Sequence, residues 1–85
     1  MLESKLQSTI IKTLEEKGYY LIKVIRANKN GIPDLIVLKG GKTLFIEAKA
    51  EKGVLSKLQA FRIEELARHG FETLIVNSLS QIEKL

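Results

Sequence analysis

Leu6, Ile10 and Leu14 recur at four-residue intervals and predict a first helix from near Leu2 to just before Gly18, with Lys17-Gly18 as its stop. Tyr19 to Ile25 is aromatic and β-branched enough for a strand, and Ala27 to Gly31 reads as a loop. Leu35 to Leu38 and Thr43 to Ile46 flank Lys39-Gly40-Gly41-Lys42, which predicts a β-hairpin turned on two glycines. A second helix starts at Ser56, carries Leu58, Phe61, Ile63 and Leu66 inward, and closes with Arg68-His69-Gly70. Glu72 to Val76 forms the fourth strand, and Ser78 to Glu83 adds a short terminal helix capped by Ser78 or Ser80. A strand, helix and strand in this order pair in parallel, so the third and fourth strands are expected as parallel neighbours in a mixed sheet. There is no internal repeat and no low-complexity linker.

The hairpin has a chemical consequence. With Gly40 and Gly41 as the loop, Lys39 faces Lys42, Val37 faces Leu44 and Asp34 faces Glu47. Side chains so placed have Cβ atoms roughly 4.5–5.5 Å apart, and like charges there repel. Something cationic is needed between the two acids. Lys49 emerges one pleat beyond Glu47 on the same sheet face and offsets some charge without chelating. A hard divalent cation takes oxygen ligands, usually one or two carboxylates with waters and substrate phosphate, and Asp34 and Glu47 supply that pair. Taken singly, each piece has an ordinary account. Pro33-Asp34 opens a strand, and Glu47 with Lys49 is a solvated pair at a strand end. The apolar run Leu35 to Leu38, however, marks a buried strand, and a charge at the end of one needs a partner or a function.

Composition narrows the field. Eighty-five residues with 45% hydrophobic content predict one globular domain, residues 1–85. A chain this short buries only about 60–65% of its unfolded surface, so oligomerisation would strengthen a thin core. Without cysteine there is neither a disulfide framework nor a thiolate metal site. No apolar stretch is long enough to span a bilayer, and Met1-Leu2-Glu3-Ser4 lacks the start of a signal peptide, so the expectation is a cytoplasmic protein with no membrane partner. The net charge of +4 favours an acidic partner, nucleic acid best of all, although it also suits a merely soluble basic domain.

Gly31-x-Pro33-Asp34, Glu47-x-Lys49 and Ser56-x-x-Gln59 together resemble the VRR-NUC domain, the virus-type replication-repair nuclease branch of the PD-(D/E)xK superfamily. Glu3-Ser4-Lys5 resembles the family's opening acidic segment, and Gly70-Phe71 with Leu74-Ile75-Val76 its closing strand, so the likeness spans nearly the whole chain. The resemblance implies an α/β fold with a restriction-endonuclease-like αβββαβ core, a mixed four-stranded sheet flanked by helices. It also implies a Mg²⁺- or Mn²⁺-dependent phosphodiesterase, with small stand-alone members similar in architecture to archaeal-type Holliday-junction resolvases. Under it, Glu3, Asp34, Glu47, Lys49 and Gln59 are the catalytic set, and Asp34, Glu47 and the Ala48 carbonyl are the metal ligands. Lys49 orients the attacking water or stabilises phosphoryl oxygens, since an ammonium is a poor base unless burial lowers its pKa. A virus-encoded member would act in the host cytoplasm.

Several of these residues carry a second account. Ser56-Lys57-Leu58-Gln59 is also a capping box, and Glu3 in a first helical turn is stabilised by the helix dipole. Arg26, Lys29, Lys52 and Lys57 flank the motifs as DNA-contacting residues would, or are solvated surface. His69 complements a helix C-terminus and has no second ligand beside it. The leading expectation is a homodimeric endonuclease resolving four-way junctions, with the hairpin edge and second helix as dimer surfaces. A less selective or flap-directed nuclease is the runner-up. A non-catalytic nucleic-acid-binding module gains nothing from paired acids facing a polyanion, and a plain structural dimer leaves those acids without an account.

Overall fold

The computed structural model describes residues 2–85. The elements run α1 (Glu3–Glu16), β1 (Tyr20–Lys23), β2 (Leu35–Lys39), β3 (Lys42–Ala48), α2 (Lys57–Arg68), β4 (Glu72–Val76) and α3 (Ser80–Glu83). The sheet has the order β1-β2-β3-β4, antiparallel except that β3 and β4 are parallel, so the expected mixed sheet and crossover are present. The hairpin register is also as expected, with Lys39 opposite Lys42 and Val37 opposite Leu44. Gly40 and Gly41 both have positive φ, 58° and 78°, which is what a two-residue turn matching the strand twist requires.

Alternation divides the sheet into two unlike faces. Leu35, Val37, Ile46, Ala48 and Val76 point to one side and are buried with Leu6, Ile10 and Leu14 of α1 and Ile82 of α3. Lys17 ties this layer to the end of the chain, its Nζ donating to the carbonyls of Ile82, Glu83 and Leu85 at 3.4, 2.8 and 3.3 Å. Because the core is one layer of few side chains, a single truncation is costly. Leu14→Ala, at a fully buried position, is expected to lose about 2–5 kcal/mol, a large share of the roughly 5–15 kcal/mol typical of a domain. Urea denaturation measures the loss.

Four expectations are corrected. α2 contains no buried residue, and Leu58 and Phe61 stay 42% and 46% exposed, because the helix lies against β4 and leaves the β1 half of that sheet face uncovered. Neither Ser78 nor Ser80 caps α3: Leu79 is its N-cap without a side-chain bond, and the amides of Asn77 and Ser78 donate instead to Gln81 Oε1. The hairpin offers no free edge for a partner, since β1 pairs with β2 on one side and β4 with β3 on the other. Finally, β1 ends at Lys23, short of Ile25. The Val24 amide still donates to the Asp34 carbonyl at 2.9 Å, but the next residue on the partner is Pro33, which has no N–H to extend the ladder.

Candidate active site

The second face carries the charged residues. One step beyond the last paired residues of the hairpin, Leu35 and Ile46, Asp34 stands opposite Glu47. The Ala48 amide donates to Asp34 Oδ2 at 2.9 Å, so the end of β3 itself fixes the aspartate. Glu47 is only 2% exposed and is the one buried charged side chain among the described residues. Lys49 Nζ lies 4.0 Å from Glu47 Oε2, with its side chain mostly covered. Gln59 donates from Nε2 to Glu47 Oε2 at 3.4 Å.

Gln59 reaches Glu47 because α2 starts where it does. The Ser56 hydroxyl accepts from the Gln59 amide at 3.0 Å, and Gln59 Oε1 accepts from the Ser56 amide at 3.0 Å. This is a complete capping box. The two accounts of Gln59 are therefore compatible: its oxygen caps the helix while its nitrogen faces the acid.

Burial above all, then a side-chain hydrogen bond with Asp34 and the charge of Asp34, raise the Glu47 carboxyl from its ordinary 4.5 to about 8. Lys49 lowers it and Glu3 adds to the rise. Near neutral pH, Glu47 thus keeps a proton that an ordinary glutamate would have lost. Asp34 and Glu47 are thus two carboxyl groups that resist carrying two negative charges together, an arrangement a divalent cation could relieve by replacing the proton. The Asp34 and Glu47 carboxyl oxygens are donors of the kind that could hold a hard ion. No group of three His, Cys, Asp or Glu side chains that could hold a metal occurs among the described residues.

Glu3 stands near enough to the pair for its charge to act on Glu47. Its Oε1 accepts from the Ala50 amide at 3.3 Å, which ties the start of α1 to the segment after β3. Arg26, Lys29, Lys52 and Lys57 are all exposed, on segments at the same end of the sheet as the acids, and none of them makes a salt bridge among the described residues. Sequence reasoning missed Arg62. Its Nε donates to the Asn30 carbonyl at 2.8 Å and its Nη1 to Glu65 Oε1 at 2.8 Å. The Arg62/Glu65 spacing of three on a helix was a readable signal for the second contact, whereas nothing in the sequence marks the first.

The family model for the VRR-NUC domain matches residues 2–79 of this chain. The chain belongs to the VRR-NUC family. As a VRR-NUC domain it is a nuclease domain of the PD-(D/E)xK superfamily, and such a domain implies a DNA substrate. Two solved structures are similar over nearly the full length. One, titled "VRR_NUC domain", is 28% identical with a TM-score of 0.84, covering 98% of this chain and 91% of that one. The other, "VRR_NUC domain protein", shares the fold at 21% identity with a TM-score of 0.81, covering 96% of this chain and 82% of that one. No curated protein is similar enough to match. No helix of the described VRR-NUC fold is long and apolar enough to cross a membrane.

Proposed function

We propose that this VRR-NUC domain, residues 1–85 acting as one unit, is a Mg²⁺- or Mn²⁺-dependent endonuclease that cuts branched DNA, four-way junctions foremost, as a symmetric cytoplasmic homodimer. The observation that supports the metal-dependent part is the buried Glu47 opposite Asp34, its carboxyl pushed up to about 8 by burial and by Asp34. A bound divalent ion supplies Lewis acidity toward the phosphate and makes water a nucleophile near neutral pH. Asp34 and Glu47 hold it, with the Ala48 carbonyl as the third oxygen. Gln59 keeps the Glu47 carboxylate aimed, and Lys49 presents its ammonium to the attacking water or to the phosphoryl oxygens as charge develops. Arg26, Lys29, Lys52 and Lys57 contact the DNA backbone, which is consistent with their exposure around the acid end of the sheet.

Lys49→Met separates these roles. Metal affinity is expected to stay within about threefold of wild type, while the single-turnover cleavage rate falls by roughly 10²–10³, as when a transition-state charge stabiliser is removed. Wild-type cleavage at saturating metal would take Lys49 out of the mechanism.

The dimer is supported by the uncovered part of the second sheet face. Tyr20, 67% exposed, and Ile22 lie on it, and a groove of about 640 Å³ lined by Ile22, Ile25, Ile36, Phe45 and Leu66 runs beside α2. Uncovered apolar surface beside α2 is consistent with a second copy packing there, and a two-fold dimer presents two identical sites to a two-fold junction. The test is incubation with four-way, flap, single-stranded and linear DNA in Mg²⁺, Mn²⁺ or EDTA, with sedimentation to give the mass. Paired, metal-dependent nicks on opposing strands of the four-way junction by a dimer are expected. A monomer at micromolar concentration that cuts flap or linear DNA as readily would replace this reading with the flap-directed or unselective one.

A further inference from the structure

The two acids sit on different strands, and α2 is the element that touches what holds each of them. Gln59, in its first turn, reaches Glu47 directly. One turn later Arg62 reaches the carbonyl of Asn30, in the loop that delivers Gly31-Ile32-Pro33 to Asp34. Between these contacts the Leu58 side chain packs so closely on Gly31 that a Cβ there would stand 2.8 Å from Leu58 Cγ, and Gly31 also has a φ of +81°. Such a position admits only glycine without strain. The loop therefore owes its path to α2: a backbone free to turn at Gly31 packs against Leu58 and is hydrogen-bonded by Arg62.

We propose that Arg62 is a positioning residue for the metal site, setting Asp34 relative to Glu47 through the Asn30 carbonyl. The inference rests on Asp34 and Glu47 being the metal ligands. Arg62 is suited to this task and poorly placed for a phosphate contact. Its side chain is only 17% exposed, its Nε is committed to Asn30, and its Nη1 is committed to Glu65, which braces the guanidinium from the next turn. The Arg62 hydrogen bond lowers the Glu65 carboxyl pKa, so Glu65 remains an anion across the working pH range. α2 thus acts as one bracket over both halves of the site, with Gln59 on the β3 acid and Arg62 on the approach to the β2 acid.

Outer partners of metal ligands typically cost about 10–100-fold in metal affinity when removed. Mn²⁺ calorimetry without DNA on the intact protein is expected to show a loss in that range for Arg62→Gln, with recovery toward wild type in Arg62→Lys, whose ammonium still reaches the Asn30 carbonyl. DNA affinity in EDTA, read by fluorescence anisotropy, is expected to be unchanged in Arg62→Lys. Unaltered Mn²⁺ affinity in Arg62→Gln, or a loss confined to DNA affinity, overturns the proposal and makes Arg62 a structural or phosphate-contacting residue. If Arg62→Gln does not fold by circular dichroism, Glu65→Ala decides the matter. It removes only the brace and is expected to weaken Mn²⁺ binding in the same direction by a smaller factor, and no change in it overturns the proposal. Asp34→Asn is the separate control. If that variant binds Mn²⁺ like wild type, the ligand assignment itself has failed, whatever Arg62 does.

Discussion

Asp34→Asn and Glu47→Gln are each expected to lower cleavage by a thousandfold or more while leaving DNA bound. The magnitude follows from the task assigned to the pair. Holding the ion contributes several kcal/mol of transition-state stabilisation, and about 1.4 kcal/mol is a factor of ten in rate. These substitutions isolate the chemistry because they keep the scaffold. The amide side chain introduced by Asp34→Asn would still offer an oxygen to the Ala48 amide that now donates to Asp34 Oδ2 at 2.9 Å. The one introduced by Glu47→Gln would fill the volume of a side chain that is 2% exposed. DNA affinity should hold or rise, with the larger gain in Asp34→Asn. Near neutral pH, Glu47 already carries its proton in the metal-free protein, so replacing it removes little negative charge from the path of the phosphates. Mn²⁺ calorimetry with single-turnover cleavage checks the pair, and undiminished metal affinity in both variants would mean that the acids do not form the site.

The second large effect is on pH dependence. The Glu47 carboxyl ionises near 4.5 in the unfolded chain and near 8 in the folded one. Between those values the folded state binds the proton more tightly, so the associated stability is fully present below about pH 4.5 and drains away as pH rises through 8. The metal-free protein should therefore become less stable toward alkaline pH by on the order of a few kcal/mol, and Glu47→Gln should flatten that slope and melt higher than wild type at pH 9. A divalent ion must displace the proton. Apparent Mn²⁺ affinity should then climb by about tenfold per pH unit up to pH 8 and level off above it, with proton release at pH 7 but little at pH 9. Calorimetry in two buffers of different ionisation heat measures the released proton directly. Release of the same amount at both pH values would show that Glu47 is not the group displaced.

The sequence carried the hairpin and the Asp34/Glu47 opposition because two glycines fix a two-residue turn, and a turn fixes the register of every pair above it. The parallel β3/β4 pairing followed from the order of strand, helix and strand. What it could not carry was lateral placement. Leu58 and Phe61 have the spacing of an inward stripe, yet whether a helix centres over β4 or over β2 is decided by packing on a sheet that no periodicity describes. The same limit hid Arg62, whose partner is a backbone carbonyl in a distant loop. Ala48 shows the converse. It was legible as a neighbour of Glu47, but its amide's hold on Asp34 emerges only when the strands are side by side.

β3 is hydrogen-bonded along both edges, by β2 and by β4, and its C-terminal half is the most buried stretch of the chain. Asp34 is tied down by the Val24 and Ala48 amides, but the loop that leads to it is held by one side-chain bond to Asn30 and by packing on Gly31. The two acids thus sit in regions with different opening costs. In amide hydrogen exchange, the Ile46 and Glu47 amides should exchange only with global unfolding, whereas Asn28 to Gly31 should exchange through local excursions. A cation that bridges the acids would fasten the loose loop to the slowest-exchanging strand, so its arrival would be recorded as added protection on the Asp34 side alone.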